Sequence, residues 1–434
     1  MRVQDHIGLI SWSLADKALF ILYGFVLIVI MNYTMPAEFG LYSLLIGLHT
    51  WIFTISDSFS LQSLIQFGMN EGNRRKVNLI ALGSHLLLTL GISLVVFVLR
   101  YPLADLFNEP RILDVAAFLP VLSIAFIPRT YSQKIIYRIQ NMFYLFLTNF
   151  VFFGVMSVMI FLKISTVKFL SFNDLAYIYL FGSIASSLMA LVLIRKELRF
   201  SRTGEIGWRK VYNFSWKMTV INLLHSFPRN IDIFIIKIFF PIETIGLYAA
   251  AKNLFRLFEE ILNAMNGLVY PSAVKNEAAN NKQALFDLMT KSVSFIFVGF
   301  AGLVIVLETG VSEWLINLVL NERYMQSVGY FNLLIIAAPF LALWYIFSIM
   351  MAKNKLIDII KISTVSFLCS LTMMLIIGVL QLDKMVPLGY GTYIIVSGIL
   401  AFYYGNNYLQ FKFNYIFRAF NDIFFYLKKK YYLK

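Results

Sequence analysis

Apolar runs of roughly 20 residues follow one another along almost the whole chain, and they restrict its fold more than any motif does. A helix rises 1.5 Å per residue, so about 20 residues cross the ~30 Å hydrocarbon layer of a bilayer. About 12 such runs occur, at 11–32, 41–67, 77–99, 112–129, 142–162, 175–194, 217–240, 245–270, 289–307, 329–351, 359–381 and 387–409. Hydrophobic residues make up 59% of the 434 and charged residues 14%, too apolar for a soluble protein of this length. Helices satisfy their own backbone polar groups in lipid without closing a barrel. The expectation is an all-α polytopic membrane protein. The opening MRVQDHIGLISWSLADKALF carries acidic residues beside basic ones and no small-residue cleavage site, so it reads as the start of the first span.

Basic residues mark the cytoplasmic side of a membrane protein. With the N-terminus inside, roughly 27 of the Lys and Arg residues fall on the cytoplasmic side and roughly 6 on the other. An even number of spans then places both termini in the cytoplasm. The net charge of +14 is thus a topological signal, and no nucleic-acid partner is expected. The single cysteine, Cys369, excludes an internal disulfide and a cysteine-based metal site.

The longest polar connection, Arg195–Lys210, separates the sixth and seventh runs. It divides the chain into a six-helix lobe 1–194, a cytoplasmic linker 195–216, a second six-helix lobe 217–411 and a basic tail 412–434. The halves resemble one another. Pro36-Ala-Glu38-Phe-Gly40-Leu41-Tyr42 follows the first span, and Pro241-Ile-Glu243-Thr-Ile-Gly246-Leu247-Tyr248 follows the seventh. Likewise Asn108-Glu109-Pro110-Arg111 before the fourth span echoes Asn321-Glu322-Arg323 before the tenth. Two matches in order indicate an internal repeat. A six-span unit begins and ends on one side, so its copy keeps the same orientation. The lobes are then expected to be related by a pseudo-two-fold axis along the membrane normal, around a central cavity.

Charge concentrates in the seventh and eighth spans. An ionisable group at the bilayer centre costs roughly 2.5–3.5 kcal/mol on insertion scales, so such groups face a bundle interior or a watery cavity. On the seventh span Asn222, His225, Arg229 and Asp232 fall within an arc of about 80° and form one polar stripe. Pro228 is expected to kink the helix beside Arg229. Lys237 lies farther toward the outside. On the eighth span Lys252, Arg256, Glu259, Asn263 and Asn266 form a second stripe, with Glu260 at its edge. The alternative is that Arg229–Asp232 and Arg256–Glu259/Glu260 are ion pairs at i,i+3 or i,i+4 that hold the helices together.

The runs MPAEFGLYSLL and IGLYAAAKNLF, with NIDIFIIK before the second copy, resemble the polysaccharide-exporter family of the multidrug, oligosaccharidyl-lipid and polysaccharide flippase superfamily. LADLFNEPRI and LVLNERYMQSVGYFNLLIIA are similar to the same family, and the likeness runs in order along nearly the whole chain. The resemblance implies twelve spans in two lobes and transfer of an undecaprenyl-diphosphate-linked oligosaccharide to the outer leaflet of a bacterial or archaeal cytoplasmic membrane. The lipid-linked oligosaccharide and membrane lipid would be its partners, with a polysaccharide polymerase or chain-length regulator as candidate protein partners. Lipid II flippases usually carry two further C-terminal spans, which lowers that reading here; a cation-coupled multidrug exporter of the same fold is the other alternative. A diphosphate cargo gives the cations a role: Arg229, Arg256, Lys252 and Lys237 are its candidate contacts.

On the second span His49, Ser56, Ser60 and Ser63 share a face with Asp57 beside it, and Asp57 is a candidate for ion coupling or capping. Asp16 and Lys17 read as an interfacial pair. The histidines are too scattered for a metal site. No GxxxxGK[ST] loop, zinc-protease motif or Ser/His/Asp grouping is present, so a transporter without cofactor is expected and not an enzyme.

Overall fold

A computed structural model describes residues 7–226, 229–320, 322–353, 355–409 and 421. Pro228, Asn321 and the basic tail, residue 421 apart, lie outside the described residues, as do the side chains of His225 and Asn266. The main helices are α1 (Ile7–Asn32), α2 (Pro36–Ser56), α3 (Glu71–Val98), α4 (Ile112–Arg138), α5 (Met142–Ile164), α6 (Phe172–Ile194), α7 (Trp208–Ser226), α8 (Ile231–Phe239), α9 (Ile242–Ala278) and α10 (Lys282–Val306). They continue as α11 (Ser327–Ile335), α12 (Ala338–Ala352), α13 (Leu356–Val379) and α14 (Leu388–Leu409).

Short polar residues set where these helices start, because the first turn leaves backbone donors without helical partners. Asn70, Asn141 and Asn281 accept from the backbone N–H of Gly72, Tyr144 and Ala284. Ser171 and Asp174 form a reciprocal capping box at α6, and Pro36 occupies the first turn of α2. Beyond Ser56, α2 passes through a π-helical turn, Asp57–Leu61, before its last α-turn.

Among the described residues nine helices are long and apolar enough to cross a membrane, ten if α11 and α12, bent by 45°, count as one span. The two other runs of the sequence reading are α7–α8 and α9, where the charges sit. At 37 residues α9 is about 55 Å long, ample for a bilayer.

By internal packing the chain divides into two compact units, 1–246 and 247–434. In the first, α4 packs against α2, α3 and α6, and α5 against α1 and α6. Leu87, Val98, Ile124, Leu188 and Val192 point outward, whereas Ser56, Ser63, Ser123, Ser183 and Ser186 are buried. That inversion suits lipid, where small residues allow close helix approach. The seventh span, which a division at the 195–216 linker assigns to the second half, packs on α2 within the first unit: Asn222 donates to Ser58 (2.9 Å) and Tyr212 stacks on Phe59.

The linker is strapped to the ends of α3 and α4. Arg138 bonds Glu197 (3.1 Å) and Asn78 (2.7 Å), and Asn78 donates to the carbonyls of Glu197 and Arg199. In the second unit Gly389 lies against Met374, Ser370 donates to the Gly389 carbonyl (2.7 Å), and Trp344 donates to Ser397 (2.8 Å).

The repeated turn shows why it contains glycine. An added Cβ on Gly40 would collide with the Ile242 carbonyl, and one on Gly246 with the Pro36 carbonyl. Each copy of the motif thus leaves room for the other, and only glycine allows it. Glu38 of the first copy accepts from Arg111 (2.8 Å) and from the backbone N–H of Phe172 (2.7 Å). Burial opposes the charge of Arg111, but its hydrogen bond to Glu109 and the carboxylates of Glu109, Glu38 and Glu243 outweigh it and raise its pKa. Gly246→Ala is expected to lower the melting temperature in detergent, with a loss of about 1–3 kcal/mol from overpacking. Gly299→Ala, where nothing lies within 4 Å of the new Cβ, is expected to leave it unchanged.

Candidate functional site

The seventh span is interrupted. Its helix ends at Ser226 and resumes at Ile231, and Asn230 has non-helical angles (φ −133°, ψ −14°). Arg229 stands half-buried in this break. The stripe expected on one continuous helix is therefore divided: Asn222 lies on α7 and bonded to Ser58, while Asp232 is fully buried on the first turn of α8 and accepts from the Ile233 N–H. Lys237 is also buried, and its Nζ donates to the Phe107 carbonyl (2.8 Å), which fixes it near the Glu109–Arg111 turn.

The α9 stripe is continuous. Arg256 is exposed and pairs with Glu260 one turn on (3.4 Å). Lys252 is half-buried, its Nζ 4.6 Å from the centre of the Tyr390 ring and 5.7 Å from that of Tyr248. The hydroxyl of Tyr390 donates to Glu259. One aromatic residue of α14 thus touches both a cation and a carboxylate two turns apart on α9. Such cation–ring contacts contribute about 0.5–2 kcal/mol, more where water is excluded. Asn263, one turn beyond, is exposed.

The first unit encloses a polar network that sequence reasoning missed. Arg129 is buried; it donates to Asn149 (2.7 Å) and Ser186 (2.9 Å) and lies over the rings of Phe126 and Phe152. Asn149 donates to Asp16 (2.6 Å), and Gln133 donates to the same Asn149 oxygen (2.9 Å). Asp16, expected at the interface, is 3% exposed inside the bundle, whereas Lys17 is exposed. The fourth apolar run of the sequence stops at Arg129, yet α4 continues to Arg138. The signal lay in Gln133, four residues on, which extends the polar face past Arg129.

The polar face of α2 points into the same interior. His49 is buried among Phe53, Phe126 and Tyr179, and Ser56 bonds His85, which in turn bonds Thr130 (2.8 Å). Asp57, on the π-helical turn, pairs with Lys134 of α4 (3.0 Å) and accepts from Gln62 (3.1 Å). Among the described residues no cluster of three His, Cys, Asp or Glu side chains is placed to hold a metal ion.

The family described as "Polysaccharide biosynthesis protein" matches residues 34–329. No curated protein sequence matches the chain. Among solved structures, the lipid II flippase MurJ in an inward closed conformation aligns with a TM-score of 0.73 at 15% identity, over 94% of this chain and 90% of that one. An inward-facing multidrug-resistance MATE family transporter of the MOP superfamily aligns with a TM-score of 0.65 at 13% identity, over 92% and 94%. A MOP superfamily transporter from Pyrococcus furiosus, whose reversed pocket polarity suggests a different function for it, aligns with a TM-score of 0.52 at 16% identity, over 92% of each chain. The fold is that of multi-pass MOP-superfamily transporters and flippases, and these neighbours are not enzymes.

Arg129→Met leaves Asp16 and Asn149 without their cationic neighbour, and a broken buried charge network costs about 3–5 kcal/mol. It is expected to lower the melting temperature sharply. Asp16→Asn combined with Arg129→Met should cost less than the sum of the single changes, read as a double-mutant cycle in thermal unfolding.

Proposed function

The chain belongs to the polysaccharide biosynthesis protein family, and from that footing we propose that it is a flippase for undecaprenyl-diphosphate-linked oligosaccharide repeat units. It carries them from the cytoplasmic to the outer leaflet of the cytoplasmic membrane by alternating access, for assembly of O-antigen, capsule or exopolysaccharide. Both termini lie in the cytoplasm, and a polymerase or chain-length regulator receives the product or controls its use.

The observation that carries this reading is that Arg229, Lys252 and Arg256 stand, together with Asp232, Lys237, Glu259 and Glu260, in two runs of membrane-crossing length. Cationic groups within such spans suit an anionic cargo, and a diphosphate is one. Arg offers a planar fork that grips two phosphate oxygens, and Lys offers a point charge. Glu260 beside Arg256, and Glu259 with Tyr390 beside Lys252, compensate these cations when no cargo is bound. The carboxylates and Tyr390 then offer hydrogen-bonding groups to sugar hydroxyls, as do Asn222 and Asn263. The polyprenyl tail needs no polar path and stays in lipid.

Arg229→Gln and Arg256→Gln are each expected to cut surface polysaccharide roughly tenfold or more, as loss of a charge-assisted hydrogen bond predicts, with protein level in the membrane unchanged. Normal polysaccharide in both variants would remove these residues from the site. Rescue of cells depleted of their lipid II flippase would point to the peptidoglycan precursor as cargo, and expression-dependent drug resistance to a small-molecule exporter.

A further inference from the structure

One cation of the first unit is held in a way that the transport reading above leaves unexplained. Lys134 lies one turn inside the end of α4, whose last residue, Arg138, is tied to the linker through Glu197. Its ammonium is 3.0 Å from Asp57 Oδ2. The amide of Gln62 donates to that same oxygen at 3.1 Å. Two donors from different helices thus converge on one carboxylate oxygen.

The backbone departs from regular geometry at this point. Asp57 opens the π-helical turn, and Gln62 lies five residues beyond it, the spacing that such a turn brings together. The two charged side chains are 25% and 19% exposed, so neither is sealed in the core. The surroundings are polar. Ser56, His85 and Thr130 form a connected chain at this level, and Asn222 donates to Ser58 on the adjacent turn. An ammonium has three donors, and the carboxylate occupies one of them.

We propose that Lys134 and Gln62 form a diphosphate-binding site at the linker end of the first unit, occupied in this structure by the protein's own Asp57 carboxylate. Asp57 Oδ2 stands where a phosphate oxygen would sit, receiving a charged and a neutral donor at hydrogen-bonding distance. An arriving diphosphate, carrying more charge and more acceptor oxygens, displaces the carboxylate; the π-helical turn is the segment that lets Asp57 withdraw. No covalent bond changes. As the diphosphate contact of a flippase cargo, the site rests on the function proposed above; as an anion site it stands on its own geometry.

A competitor and a ligand group give opposite signs on removal. Full-length protein in phosphatidylcholine nanodiscs is titrated with inorganic pyrophosphate and, in a second arm, loaded with polyprenyl diphosphate, with ligand-dependent thermal stabilisation as the readout. Asp57→Asn is expected to tighten binding roughly fivefold, the scale of releasing a partly exposed ion pair. Asp57→Asn with Lys134→Gln is expected to lose that gain and fall below wild type. It leaves no uncompensated charge, so it remains informative if the single variant does not fold. A gain in both arms supports a lipid headgroup as ligand, and a gain with pyrophosphate alone supports the same site acting on a free anion. Weaker or unchanged binding in Asp57→Asn, or binding at the wild-type level in the double variant, overturns the proposal. Binding is read without transport, so loss of the flippase reading in the polysaccharide assay leaves this result standing.

Discussion

The cost of charge in a low-dielectric interior shapes this protein more than any other term. Burying an ion without compensation is prohibitive, so each one found inside must have local partners. Arg129 illustrates the solution: two hydrogen bonds, two aromatic faces and, through Asn149, an indirect link to Asp16. The four helices that supply these groups, α1, α4, α5 and α6, are joined by this network as well as by apolar packing. In lipid that distinction matters, because hydrocarbon removes the usual driving force for apolar faces to associate.

Other charged groups are less enclosed than Arg129. Arg256 is exposed and has a flexible neighbour in Glu260; Lys252 leans on a ring; Lys134 shares its carboxylate with an amide. A fully enclosed pair cannot exchange partners without exposing an ion, but a half-exposed one can. Arg129 and Asp16 are therefore suited to holding the first unit together.

Most of the spans were legible in the sequence because length and hydropathy alone define them. The repeat was legible too, and the close approach of Gly40 to Ile242 and of Gly246 to Pro36 supplies its physical meaning. Helical periodicity described α9 correctly because nothing interrupts that helix between Lys252 and Asn263. It described the seventh span less well, since a spacing argument assumes one regular helix and Asn230 has non-helical angles. Arg129 was hidden at a boundary: the fourth apolar run ends there, whereas its helix ends where its hydrogen bonding ends, at Arg138. Tyr390 beside Glu259 joins residues 131 apart in sequence, and the π-helical turn at Asp57 has no compositional mark. Neither was accessible without coordinates.

The two charged spans differ in construction as well as in charge. α9 is a single unbroken helix whose polar groups recur every three or four residues, within about 6 Å of one another along the axis. The seventh span instead carries a half-buried arginine, Arg229, beside the non-helical Asn230. The first copy of the repeat, around Pro36–Tyr42, uses its acidic residue Glu38 to hold Arg111 and the start of α6.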